Sequence, residues 1–183
     1  MTRLLPLLLF TLVAYSGIRH AGFVWDDIPL IVQNQTLADG SLSSIFASDL
    51  WADSGAGEVA SGYYRPLVLL SFAFDRVLFG LVPMGYHVHS LLWHLLGVTG
   101  LYRLCTSLMG RNGACVAAVV FALHPVQSEV VTWISARNDL MAAAFGFWSL
   151  SFVWDGKNPS RLHWFVAMML SVLACLSKET AFV

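Results

Sequence analysis

From Gly85 to Leu108 the chain runs for 24 residues with one charge, Arg103. A helix needs about 20 mostly apolar residues to cross a hydrocarbon core, so this run limits the possible folds more than any other feature. It has company: Leu4–Ile18, Gly113–Leu123, Leu140–Trp154 and Leu162–Leu176 are also apolar. Charged residues make up 11% of the chain and hydrophobic ones 57%. A soluble domain carries about a quarter charged residues, so this chain has too few to cover such a surface. Disorder, which requires low hydrophobicity and high charge, is excluded as well. A net charge of −1 gives no field for nucleic acid. Seven Trp, twelve Phe and five Tyr suit two membrane interfaces. These features predict an all-α integral membrane protein.

The order of apolar and polar stretches predicts about five spans, divided as a first span over 1–24, an outer loop with juxtamembrane helices over 25–84, and further spans over 85–183. A cleaved signal peptide at Ala14-Tyr15-Ser16 competes with the first span. From His20 to Tyr64 there are six acids (Asp26, Asp27, Asp39, Asp49, Asp53 and Glu58) and no Lys or Arg. Basic residues retain loops in the cytoplasm, so this base-free loop is placed outside or in a lumen. Arg103, Arg111, Lys157 and Arg161, at the opposite helix ends, are placed inside with Asp155. Leu42–Trp51 has near-helical spacing, and Asn34-Gln35-Thr36 is a formal glycosylation sequon. Leu67–Leu81 is short for a span and carries Asp75-Arg76; it reads as an interfacial helix with Phe72, Phe74 and Phe79 in lipid and the charges toward water. The eleven residues of Gly113–Leu123 cover about half a bilayer before His124-Pro125 kinks or breaks the helix.

Four polar clusters fall on the outer side: Trp25-Asp26-Asp27, Tyr64-Arg65-Pro66, His124 to Asp139, and Lys178-Glu179. Ionisable groups at membrane depth are functional candidates by default. A carboxylate of the Asp26-Asp27 pair can take a proton from a hydroxyl, and Arg65, Arg137 and Lys178 can hold a phosphate. That pairing suits transfer of a group from a phosphate to a hydroxyl. The plainer readings are a solvated acidic loop, an interfacial Asp75-Arg76 pair, and structural pairing of Arg137 with Glu129 or Asp139. His87 and His94 share a helix face seven residues apart, too far for the usual metal pair, and read as interhelical hydrogen-bonding residues. His89 faces elsewhere and receives no role. Cys105, Cys115 and Cys175 have no metal-ligand spacing, and a divalent metal has no support in the sequence.

The strings Phe23-Val24-Trp25-Asp26-Asp27, Tyr64-Arg65-Pro66-Leu67 and Gly85-Tyr86-His87 with His94 resemble the TMTC-type membrane mannosyltransferases, which join a transmembrane part to tetratricopeptide repeats. The resemblance continues, in order, through Phe121 to Glu129, Trp133 to Leu140 and Leu176 to Thr180, and is stronger to bacterial relatives than to animal ones. It implies a GT-C glycosyltransferase fold, a polyprenyl-phosphate sugar (mannose-like) as donor and a hydroxyl acceptor of unknown identity. It implies a loop carboxylate as base. Asp26 and Asp27 match the catalytic acids. Arg65, Arg137 and Lys178 match positions facing the donor phosphate or its cavity, supported by His124, Glu129, Asp139, Glu179, His87 and His94. Ser90 stands where an Asn is usual. The chain stops inside an apolar run, so it is expected to be an N-terminal part without the later spans and repeats. The compartment expected is the bacterial inner membrane, or the endoplasmic reticulum in a eukaryote.

Two rivals come from other classes: a transporter or channel fragment whose midplane charges line a path, and a non-catalytic membrane module that presents a repeat domain. The topology has its own test. A cysteine near Ser54 should react with a membrane-impermeant thiol reagent from outside, and one at Asn158 should not; reversed labelling would overturn the orientation.

Overall fold

A computed structural model describes residues 3–54, 62–154 and 159–182. Glu58, Asp155, Lys157 and Asn158, used above for topology, lie outside the described residues. The described residues form helices and no strand. In chain order they are α1 (Leu4–Ala14), α2 (Gln35–Asp39), α3 (Leu42–Ala47), α4 (Pro66–Phe79), α5 (Pro83–Leu123), α6 (Val126–Thr132), α7 (Arg137–Val153) and α8 (Arg161–Ser177). Short 3₁₀ turns at Ser16–His20, Ile134–Ala136 and Glu179–Phe182 link or end them, and Ile28–Val32 forms a π turn.

α5 is two helical arms joined at a kink. Gly110 has φ 74° and ψ 176°, a backbone conformation that a side chain disfavours. The arms 83–109 and 111–123 therefore run back to back. His94 Nε2 lies 3.1 Å from the carbonyl of Ala122, and its ring stacks on Phe121. Ala114, Ala118 and Ala122 recur every four residues, so one small-residue face of the return arm packs on Val98, Tyr102 and Cys105, with Leu7 of α1 against the same cluster. The return arm ends at His124, whose residue is the extended C-cap, and Pro125 begins the turn into α6. The break expected at His124-Pro125 is therefore a complete one.

Helix α7 packs along the first arm of α5 and then against α8. Close approach is possible because Gly100 has no side chain: a Cβ there would stand 2.8 Å from Trp148 and 3.1 Å from Phe147. Trp148 returns a hydrogen bond to the Leu96 carbonyl at 3.0 Å. Leu5, Leu9, Phe10 and Val13 of α1, and Leu162, Trp164, Phe165 and Met168 of α8, are exposed. Among the described residues α5 is the one helix long and apolar enough to cross a membrane by length and composition; α1 with its following turn and α8 are apolar but shorter.

The acidic loop is folded onto the helices rather than solvated. Asn34 caps α2 by accepting from Leu37 N–H at 2.9 Å, and Ser41 caps α3 through Ser44 N–H. Asn34 is 1% exposed, so the sequon asparagine serves as a buried cap. The expected helix within Leu42–Trp51 is the shorter α3. Leu30, Ile31, Leu37, Ile45 and Leu50 of the loop cover Val68, Leu69 and Phe72 of α4. This corrects the placement of two residues of α4, Phe72 and Asp75. Pro66 at its first turn and Gly80 (φ 60°) at its end fix its limits. Val68, Phe72 and Asp75 lie on one face and are buried, whereas Phe74, Val77, Leu78 and Phe79 are exposed. Phe72 is not in lipid, and Asp75 is not in water.

Replacing Gly100 by Leu should wedge α5 from α7. The expected loss is about 1–3 kcal/mol, the usual cost of overpacking, read as a lowered thermal midpoint in detergent; an unchanged midpoint would mean that the two helices separate freely there.

Candidate functional site

The turn that carries the acidic pair is held by Asp27. Its Oδ2 accepts from Val24 N–H at 3.0 Å, and its Oδ1 accepts from Ser135 N–H at 2.8 Å and Ser135 Oγ–H at 2.6 Å. Asp27 is fully buried. It fastens the loop to the segment before α7. Asp26, one residue earlier, makes no side-chain hydrogen bond or ion pair among the described residues. Its carboxyl is held above the ordinary carboxylate range, first by partial burial and then by the neighbouring Asp27 charge. The two acids thus divide into a clamp and a free carboxylate, which their adjacency in the sequence could not reveal.

Asp26 lines a half-open cavity of ≈ 280 Å³ together with Arg65, Asp139 and Lys178, under a wall of Trp51, Tyr63 and Trp133. Each of the four polar residues comes from a different place. Arg65 precedes α4, Asp139 lies in the first turn of α7, and Lys178 caps α8. The two cations already have partners. Arg65 donates to both oxygens of Glu179, from Nε at 2.9 Å and Nη2 at 2.5 Å, and its guanidinium lies 4.7 Å from the Tyr63 ring centre. Lys178 Nζ lies 2.5 Å from Asp139 Oδ1. The hydrogen bonds from Arg65 hold the Glu179 carboxyl below its usual range. Glu179 is about half exposed.

Arg137 does not line this cavity, which corrects its placement among the phosphate-facing residues. Among the described residues it is the largest fully buried side chain. Nη1 sits 2.5 Å from Asp75 Oδ2, a close ion pair rather than a well-aligned hydrogen bond. Nε donates to Ser90 Oγ at 3.1 Å, Nη1 to Ser71 Oγ at 3.2 Å and Nη2 to the Tyr86 carbonyl at 2.8 Å, with the Phe72 ring 4.8 Å away. The pairings considered for it, Glu129 and Asp139, are not made. Asp75 Oδ1 lies 2.5 Å from His89 Nδ1, and Trp93 Nε1–H donates to His89 Nε2 at 3.1 Å. That donation makes Nε2 the acceptor, so the proton of a neutral His89 sits on Nδ1 and points to Asp75. His89 was given no role by sequence. Its signal was the spacing from Trp93, one turn on, and from Tyr86, one turn back.

The other supporting residues scatter. His94 bonds the Ala122 carbonyl. His87 is fully buried, and neither ring nitrogen has an aligned partner. His124 accepts from Val126 N–H at 3.2 Å and contacts neither Glu129 nor Arg137 by hydrogen bond or ion pair. Glu129 lines a second, more apolar cavity of ≈ 530 Å³ with Val24, Trp25, Thr132 and Trp133. Trp133 is common to both cavities. Among the described residues no group of three or more His, Cys, Asp or Glu converges to hold a metal.

Removing one partner of a buried ion pair strands the other charge, at about 3–5 kcal/mol. Arg137→Met alone should therefore lower stability by that amount. The double variant Arg137→Met with Asp75→Leu should recover much of the loss in a thermal-unfolding cycle. Additive losses would show that the two residues are not coupled.

No family model and no solved structure matches the chain. Curated proteins do. Protein O-mannosyl-transferase TMTC3 of Mus musculus is 28% identical over 170 residues, covering 90% of this chain and 18% of that protein. Tmtc3 of Drosophila melanogaster is 33% identical over 180 residues, covering 84% and 19%. TMTC1 of Homo sapiens is 32% identical over 183 residues, covering 92% and 21%. The chain spans about a fifth of the length of these relatives. The likeness covers most of this chain, which is a TMTC-type protein, similar to the protein O-mannosyl-transferases.

Proposed function

We propose that this chain is part of the catalytic membrane domain of a glycosyltransferase that moves a hexose from a polyprenyl-phosphate donor to a hydroxyl on a protein. The observation that carries the reading is the cavity in which the unpaired carboxylate of Asp26 faces Arg65 and Lys178. The names of the relatives supply the sugar class and the protein acceptor. The exposed apolar faces of α1 and α8 and the length of α5 support a multi-pass arrangement in which α1, α5, α7 and α8 lie in the bilayer, with the cavity on the outer or lumenal side.

The chemistry follows from charge. The acceptor oxygen attacks the anomeric carbon and forms the new glycosidic bond. The bond from that carbon to the phosphate oxygen breaks, and its electron pair leaves with the lipid phosphate. Arg65 and Lys178 stabilise the negative charge that grows there, and they do so most effectively where water is excluded. The hydroxyl proton passes to Asp26, whose raised affinity for a proton makes it a stronger base than an ordinary carboxylate. Because Glu179 and Asp139 occupy the cations at rest, the incoming phosphodiester must replace at least one of them.

In membranes that carry the full-length protein and a labelled polyprenyl-phosphate sugar, Asp26→Asn should lower turnover by about 10²–10⁴-fold, the size of a general-base effect, with donor binding kept. The wild-type rate should rise with pH as Asp26 loses its proton, through a limb above the usual carboxylate range, and this limb should vanish in Asp26→Asn. Near-normal transfer by the variant would remove Asp26 as base.

A further inference from the structure

We infer that the second cavity, between the acidic turn and α6, is the acceptor subsite and takes an extended peptide segment bearing the serine or threonine hydroxyl. This deepens the function proposed above and rests on it for the identity of the reaction. The cavity of ≈ 530 Å³ falls within the about 300–1,000 Å³ typical of binding clefts. Its position is the first argument. Trp25 lines it, while Asp26, the next residue, lines the cavity of the cations. Trp133 forms a wall of both, and its ring centre stands 6.2 Å from that of Trp25 at 89°. The two cavities thus share a wall and take adjacent residues of the acidic turn, which sets an acceptor in the second beside the carboxylate of the first.

Lining chemistry is the second argument. Among the described residues Glu129 is the one charged residue in the lining, and no cation accompanies it. A lipid phosphate would be repelled there, and an exposed carboxylate beside the Thr132 hydroxyl is a poor bed for a hydrocarbon chain. A peptide suits it: an apolar side chain against the two indoles, and a basic or amide group against Glu129. The buried indole N–H of Trp133, in the wall between the cavities, has no hydrogen-bond partner among the described residues.

Backbone strain is the third. Trp25 has φ 47°, in the left-handed region that a bulky residue avoids, and its side chain is 81% exposed. Such strain is held only where the surroundings enforce it, here through the three hydrogen bonds of Asp27. The result turns an indole outward directly beside the free carboxylate.

The test uses the full-length protein in its membranes, with threonine peptides flanked by an aromatic residue and by either Arg or Glu. Trp25→Ala should raise the acceptor KM by about tenfold or more, as truncating an anchoring Trp does, and leave donor KM unchanged. Glu129→Lys should reverse the preference between the Arg and Glu peptides. An equal rise in donor KM would assign the cavity to the donor, and unchanged acceptor KM in both variants would remove the subsite; either overturns the inference. If the wild type transfers no sugar at all, the proposed function fails, but the cavity can still be judged. A benzophenone side chain at Val24, 51% exposed, should photo-crosslink the threonine peptide; crosslinks to lipid alone, or none, would overturn it.

Discussion

The burial of one guanidinium determines how the rest of the site can be arranged. Arg137 opens α7, and its charge is met by Asp75 from α4, by the Ser90 hydroxyl and Tyr86 carbonyl from α5, and by Ser71. A charge this deep is tolerable only with its counter-ion and nearly all its donors engaged. Its requirements therefore fix three helices relative to one another. Asn138 and Asp139, the next two residues, inherit that position and line the cavity. Arg137 positions the cavity without touching what enters it.

A second layer of order comes from Asp27, which joins the loop to Ser135, two residues before Arg137. The clamp and the buried pair meet within one turn of chain. The free carboxylate of Asp26 is thus referred to the same frame as Lys178 and Arg65, although 152 residues separate Asp26 from Lys178. Preorganisation of this kind is what a reaction between two bound substrates requires, since the reacting atoms must meet within about 3–3.5 Å.

Much of this was legible in the sequence, and the parts that were not have physical reasons. The apolar runs marked α1, α5, α7 and α8, and the eleven residues before His124-Pro125 marked the short return arm, because apolar length and proline act locally. Four polar clusters were expected on one side, and residues from each of them line the two cavities. Asp75 was misread because it was paired with its neighbour Arg76. Adjacent residues on a helix point about 100° apart, and Asp75 belongs with Val68 and Phe72 on the face the loop covers, while Arg76 turns to the Ile31 carbonyl. Arg137 and Arg65 were grouped by sequence as cations able to hold a phosphate. Only the tertiary contacts tell that one is spent on structure and the other is half-committed to an exposed glutamate.

The unequal arms of α5 have a further consequence. The outgoing arm, 83–109, is about 40 Å long at 1.5 Å per residue, and the return arm, 111–123, about 20 Å. The long helical path therefore ends well short of the level of Pro83, and the short helical pieces α6 and Ile134–Ala136, joined at Trp133, lead on to Arg137. In the bilayer proposed for this domain, that missing length is a notch cut into the slab. Both cavities take wall residues from this connecting stretch, Glu129 and Thr132 in one and Trp133 in both, so the two proposed substrates would meet beside the short arm rather than across a full-length helix.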